Sequence, residues 1–160
     1  MDSTGNSAAE EIIVRRNAGF AWQMPLCRRE LTAVLAVMRA TGNLASMPLE
    51  LTLTDDAFIS ETNAASLDCP GPTNILAFPP FAGLGPSSGT EFPGTGLLLL
   101  SLDTLQREAF LYGQDTAEHA LRLLAHGMAH LAGFDHGPVM DVFAETIFEA
   151  GRRKWREMRL

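Results

Sequence analysis

The stretch His126-Gly127-Met128-Ala129-His130-Leu131-Ala132-Gly133-Phe134-Asp135-His136 holds three of the chain's four histidines. His126 and His130 are four residues apart, and on a helix that spacing stacks two imidazoles one turn apart on the same face. Both can then reach one metal ion. A third ligand on the next turn would be carried past the ion, so the chain must leave the helix and double back. Gly133 suits that task, because glycine readily takes the left-handed conformation that ends helices. His136 follows it. The stretch therefore predicts a helix that stops near Gly133 and carries a metal site at its C-terminal end.

The spacing His-x3-His-x5-His with an intervening glycine is that of the metzincin zinc proteases. Where those enzymes place a catalytic glutamate, after the first histidine, this chain has Gly127. The metal frame is present without the protease base. Three neutral imidazoles and no thiolate suit one Zn²⁺ per chain, and Ni²⁺, Mn²⁺ or another divalent ion is compatible with the ligand type. Three protein ligands leave a coordination position open, which marks a catalytic rather than a structural site. The reaction class is metal-assisted hydrolysis, in which the ion lowers the pKa of water to about 7. Asp135 is the carboxylate nearest in sequence, and it can orient a ligand histidine, cap the local backbone or act as a base. His119 lies seven residues before His126 on the same helical face. A partly buried polar side chain and a substrate-facing group are both open readings for it.

The 160 residues suit one domain from residue 11 to residue 160, preceded by a polar segment over residues 1–10 that is expected to be disordered. Glu11–Arg16 reads as a β-branched strand. Leu31, Val34, Leu35 and Met38 recur at helical spacing within Leu26–Ala40, where Pro25 marks a possible start. Leu49–Thr54 alternates as a half-buried strand, and Thr54 or Asp55 can cap a helix to about Ala65. Asp68-Cys69-Pro70-Gly71-Pro72 is a rigid turn before a third strand, Thr73–Phe78. Phe81–Thr95 reads as a surface loop, and Gly96–Ser101 as a strand buried on both faces. Three helices follow: Leu102 to about Tyr112, one from Asp115 or Thr116 carrying the histidines, and one after Gly137-Pro138 that Gly151 can interrupt. The fold class is α+β, a small mixed four-stranded sheet packed against about five helices, with a zincin-like metal helix.

With 46% hydrophobic and 19% charged residues the composition is that of a soluble globular chain. Cys27 and Cys69, the only two cysteines, have no ligand spacing and read as inert in a reducing compartment. No secretion signal or bilayer-length apolar run is apparent, so a cytoplasmic location with no membrane association is expected. A net charge of −7 speaks against bulk attraction to nucleic acid, DNA in particular. The basic residues are nonetheless uneven: none lies between Arg39 and Arg107, while Arg152, Arg153, Lys154, Arg156 and Arg159 crowd the C-terminus. A local basic surface can still hold a polyanion.

The histidine motif resembles the YbeY family of ribosomal RNA maturation endoribonucleases, whose signature is H-G-x-L-H-L-x-G-Y-D-H; here Ala129 and Phe134 stand at the leucine and tyrosine. Pro72-Thr73-Asn74-Ile75-Leu76-Ala77-Phe78-Pro79 is similar to the family's P-T-(D/N)-V-L-S-F-P strand. Leu53-Thr54-Asp55-Asp56 with Asn63, Gly96–Ser101, and Met140 with Glu145 and Ile147 follow in family order, so the likeness spans residues 49–150. It implies a zinc-like metal on His126, His130 and His136, and single-strand RNA cleavage in 3′-end maturation of the small-subunit rRNA and in ribosome quality control. It also implies single-stranded and ribosomal RNA and the small ribosomal subunit as partners. On this reading Asp135 serves the metal site, Thr73 and Asn74 lie beside it, and Arg122 and His119 are further candidates for contact with substrate.

The chain departs from the family pattern in its Y-R-x-K-D segment. Alignment from Asn63 puts Leu67 at the arginine, Cys69 at the lysine and Pro70 at the aspartate, and Leu97 replaces the aspartate of the G-D strand. The lost arginine removes a phosphate clamp, for which Arg122 or the C-terminal arginines are candidate substitutes. A metal hydrolase acting on another substrate, such as a peptide, and a non-catalytic ribosome-associated metal-binding module are the rival readings.

Overall fold

The computed structural model describes residues 12–17, 24–80 and 94–160. Along them the chain runs β1 (Ile12–Arg16), α1 (Arg28–Thr41), β2 (Leu49–Thr54), α2 (Asp56–Leu67), β3 (Ile75–Phe78), β4 (Gly96–Ser101), α3 (Leu102–Leu111), α4 (Thr116–Leu131) and α5 (Pro138–Met158). The expectations for residues 1–10, for Glu11 and for the loop over residues 81–93 fall outside the described residues. The four strands form one sheet in the order β1-β2-β4-β3. β1, β2 and β4 are parallel, and β3 runs antiparallel to β4 at the edge. The expected α+β architecture with a mixed sheet is what the chain adopts.

Alternation sets the two faces. Leu49, Leu51 and Leu53 of β2 and Leu98 and Leu100 of β4 point into the main core against α1, α4 and α5. The opposite face is thinner: Ile59 of α2 covers Leu76 and Leu99, with Phe78 beside them. The expectation that β4 is buried on both faces holds for Leu98, Leu99 and Leu100, but Leu97 is 37% exposed. It sits at the strand's start, opposite Phe78 of the edge strand, beyond the cover that α2 supplies.

Caps decide where the helices begin. Asp55, Ser101 and Asp115 accept from the backbone N–H of Phe58, Thr104 and Glu118, as their positions in the sequence foretold. α1 begins at Arg28 rather than Leu26, because the Glu30 carboxylate accepts from the Cys27 backbone N–H at 2.8 Å and fixes Cys27 as the cap. Glu30 is thereby half-buried, while Arg28 and Arg29 face water. The third strand is shorter than Thr73–Phe78: Thr73 and Asn74 lie just before β3.

α5 runs unbroken through Gly151. A side chain there would collide with Met38 Cε and come within 3.3 Å of Val34 Cγ1. The glycine is a close-approach site between α5 and α1, not a helix stop. Its loss of conformational entropy in a helix, about 1 kcal/mol relative to alanine, is offset by that contact. On the other flank, Asp56 ties α2 to α3 by accepting from Ser101 Oγ and Thr104 Oγ1, each at 2.6 Å, and from Arg107 at 3.0 Å. Burial opposes its ionisation, but those three donors together hold its carboxyl below the ordinary value. Among the described residues no helix is long and apolar enough to cross a membrane.

Candidate metal centre

α4 is the most enclosed of the helices, with buried residues around most of its circumference from Ala117 to Leu131. It lies between α5 and the sheet. Gly127 is where it meets the sheet: a Cβ there would stand 2.8 Å from both Ile75 Cδ1 and Leu98 Cδ2. The residue after the first histidine thus faces the apolar sheet. This gives a physical reason for glycine where a protease carries its glutamate.

The C-terminus of α4 builds the third ligand. Gly133 N–H donates to His130 O at 2.9 Å, and Phe134 N–H donates to Ala129 O at 3.2 Å. This is the glycine-terminated Schellman pattern, and Gly133 takes φ +94°, a conformation costly for residues with a Cβ. The chain doubles back as the spacing required. It brings the ligand nitrogens of His126, His130 and His136 within 4.8 Å of one another. The same turn places the Phe134 carbonyl 3.1 Å from His130 Nδ1. With the Nδ1 proton donated there, the lone pair lies on Nε2, which faces His126 Nε2 at 3.2 Å.

Burial, followed by the neighbouring imidazoles, lowers the pKa of both His126 and His130 below the usual 6.5. Asp141 opposes the shift at His126 and Asp135 opposes it at His130. Two nitrogens so close, both disposed to stay unprotonated, form a donor set that fits a divalent ion of borderline softness. His126 and His130 bind protons less readily in the fold than in the unfolded chain. The unfolded state therefore takes up extra protons as pH falls below about 6.5, and the metal-free fold loses stability from there down through the lowered values. Melting of chelator-treated protein is expected to fall as the pH is lowered from about 6.5, the ordinary value for His. Replacing His126 by Asn should flatten that slope. A melting temperature that rises on acidification through this window would contradict the assignment.

A cleft of about 700 Å³ opens beside the triad. One wall is Thr73, Asn74, Ile75 and Ala77, and the other is His126, His130, Phe134, Asp135 and His136, with Asn63, Leu67 and Cys69 at one side. Thr73, Asn74 and Asp135 thus line the cleft that opens beside the three histidines. The acceptor that orients His130 is the Phe134 carbonyl, and Asp135 contributes an exposed carboxylate to the cleft. Leu67, at the family's arginine position, also faces this cleft. Among the described residues no Lys or Arg lines it.

Arg122 borders a second cavity of about 350 Å³, which shares Asn74 and His126 with the first and adds Asp141, Glu145 and Phe148. Its guanidinium lies 4.0 Å above the Phe148 ring and pairs with Glu145 at 3.2 Å. His119 does not reach the cleft. It is buried at 6% exposure, with Nε2 2.7 Å from Glu108 Oε2 and Nδ1 3.1 Å from Gln114 Oε1. The partly buried reading is the one the fold realises. Sequence reasoning missed Asp141 and Glu108. Neither lies in a motif, and only the packing of α5 and α3 brings them near the site.

A mixed α+β domain whose enclosed helix ends in a histidine triad beside an open cleft defines a zincin-like fold able to hold a metal ion. The family model described as endoribonuclease YbeY matches residues 21–152. Relatives named endoribonuclease YbeY include one from Nitratidesulfovibrio vulgaris, 46% identical over 81% of this chain and 88% of the relative. Another, from Oleidesulfovibrio alaskensis, is 37% identical over 89% and 94%. A solution structure of a Thermotoga maritima protein covers 91% of this chain and 92% of its own at TM-score 0.60 and 17% identity, a likeness of fold. The chain belongs to the YbeY family.

Proposed function

We propose that this chain is a single-strand-specific, metal-dependent endoribonuclease that matures the 3′ end of the small-subunit rRNA and serves ribosome quality control. It acts in the cytoplasm as one domain over residues 11–160, with single-stranded and ribosomal RNA and the small ribosomal subunit as partners. The observation that carries this reading is the convergence of His126, His130 and His136 beside an open cleft in a chain of this family. His126, His130 and His136 would hold one Zn²⁺, or Ni²⁺ or another divalent ion in its place, which when bound would supply Lewis-acid charge and water of lowered pKa for phosphodiester hydrolysis.

The protein's own groups do the rest. Phe134 O holds His130 in the tautomer that offers Nε2. Thr73 and Asn74 supply hydrogen-bonding groups to the strand lying in the cleft. Asp135 places a carboxylate beside the ligands, as a proton acceptor or as an orienting charge. Arg122, one cavity away but sharing Asn74 and His126 with the cleft, is the cation placed to meet a neighbouring phosphate. Its bond to the exposed Glu145 is a surface pair worth roughly 0–1 kcal/mol, so a phosphate can displace it. His119 contacts no substrate in this reading.

The test is cleavage of single-stranded RNA by metal-loaded protein. Cutting that stops with chelator and returns with Zn²⁺ is the expected result, together with one metal ion per chain. The lack of any Lys or Arg lining the cleft, among the described residues, favours one rival: a ribosome-associated module that keeps its metal for structure. Metal-loaded protein that co-sediments with small subunits yet cuts no RNA would establish that rival.

A further inference from the structure

The cleft has two walls held by different parts of the fold: the histidines ride on α4, and Asn74 precedes the edge strand β3. One half-buried carboxylate touches both. Glu108 of α3 accepts from His119 Nε2 at 2.7 Å and from Asn74 Nδ2 at 3.1 and 3.3 Å. The His119 and Glu108 side chains are only 8% and 17% exposed. His119 shares α4 with His126 and His130, and Asn74 lines both the main cleft and the Arg122 cavity. Glu108 therefore spans from the helix that carries the metal ligands to the opposite wall.

The carboxamide of Asn74 is oriented by this contact. Its Oδ1 accepts from the Ile75 N–H at 2.7 Å. Flipping it would set that oxygen against the Glu108 carboxylate and the amide N–H groups against a backbone donor. A flexible side chain at the mouth of a cleft is thus reduced to one orientation. The backbone adds a second tie, because Ser101 N–H donates to Asn74 O at 2.9 Å.

We propose that Glu108 is a positioning residue: through His119 and Asn74 it braces the strand wall against the histidine helix and holds the Asn74 carboxamide in the orientation that receives the RNA strand. The kinetic part rests on the RNA-cleavage reading above; the brace itself does not. His119 needs only to donate from Nε2, with its Nδ1 accepting from the Gln114 amide N–H once that carboxamide is turned end for end, so no change of charge is invoked. A glutamine at position 108 can keep both ties. Its oxygen accepts from Asn74, and its amide donates to His119 Nε2 once the imidazole proton moves to Nδ1 and bonds Gln114.

The experiment uses full-length, metal-loaded protein with Glu108→Ala, Glu108→Gln, Asn74→Ala and the Asn74→Ala/Glu108→Ala double variant. It records metal per chain, melting temperature, and kcat and KM on single-stranded RNA at a temperature where every variant is folded. Misplacement of a binding group by about 1 Å can cost roughly a hundredfold in rate, so Glu108→Ala should lose between about tenfold and a hundredfold in kcat while keeping its metal. Glu108→Gln should recover to within about threefold of wild type. The double variant should be no worse than the poorer single one, because the two residues act through one contact. Wild-type rates in Glu108→Ala, multiplied losses in the double variant, or metal lost in step with activity would each overturn the proposal.

Exchange of the Asn74 side-chain amide protons, followed by NMR, provides a readout besides cleavage. It should be slowed in wild type and Glu108→Gln and fast in Glu108→Ala; equal rates in all three would remove the brace. If wild-type protein cuts no RNA, the functional reading falls, and the exchange rates still decide whether the brace exists.

Discussion

Replacing His130 by Ala is expected to leave a folded protein that binds no stoichiometric metal and cuts no RNA. His130 is the middle histidine of the three: its Nε2 stands 3.2 Å from that of His126, and its ring lies 4.8 Å from that of His136. Without it the remaining imidazoles are two ligands on an open surface, too few to hold a tetrahedral ion against water. The loss of the bond to Phe134 O takes away about 1 kcal/mol of stability, too little to unfold a domain of this size. A larger difference appears when metal is present, because an ion held at a thousand times its Kd stabilises the wild type by about 4 kcal/mol and the variant by almost nothing. Metal analysis, melting with and without Zn²⁺, and cleavage assays on one preparation check all three effects. Full metal content in His130→Ala would remove the triad from the metal site. Arg122→Ala is the contrasting variant, expected to keep its metal and lose affinity for RNA.

Gly127→Glu, the change that would restore a protease-like motif, is expected to cripple the fold instead. The new Cβ would lie 2.8 Å from Ile75 Cδ1 and from Leu98 Cδ2, and the carboxylate would follow it into an apolar contact between helix and sheet. Overpacking costs about 1–3 kcal/mol, and an unpaired buried charge costs several more. The helix-propensity gain over glycine, below about 1 kcal/mol, does not offset that. For a chain of this size, roughly 2–4 °C are lost per kcal/mol, so melting should drop by about 10 °C or more, with no peptidase activity gained. Gly127→Ala should be far milder, since the two contacting atoms are ends of side chains that can shift. A Gly127→Glu protein with wild-type melting and chelator-sensitive peptide cleavage would sink this account of the site.

Much of this is visible in the chain because its signals are local. Helix spacing, the glycine stop and the return to His136 all lie within eleven residues, and the structure closes that loop through backbone bonds that any reader of the motif can anticipate. Asp55, Ser101 and Asp115 cap as their chemistry requires. The readings that the sequence left open have a common cause. Gly151 looks like a helix breaker by intrinsic propensity, but Met38 and Val34 of α1 press against it, and that contact is separated by more than a hundred residues of sequence. His119 looks like a further functional histidine on the helical face of His126, but α3 lies over it and supplies Glu108.

The sequence alone determined the class of fold, the spacing that gathers His126, His130 and His136 into a group able to hold a metal, and the missing protease base, because each depends on residue type and on local spacing. Only the tertiary structure decided why that base is missing and that Glu108 joins the two walls of the cleft. Those answers depend on which faces of distant elements meet: α4 against the sheet at Gly127, α3 over His119, and α5 beside His126. Close packing of side chains from separate segments sets them, and no local pattern in the chain encodes it.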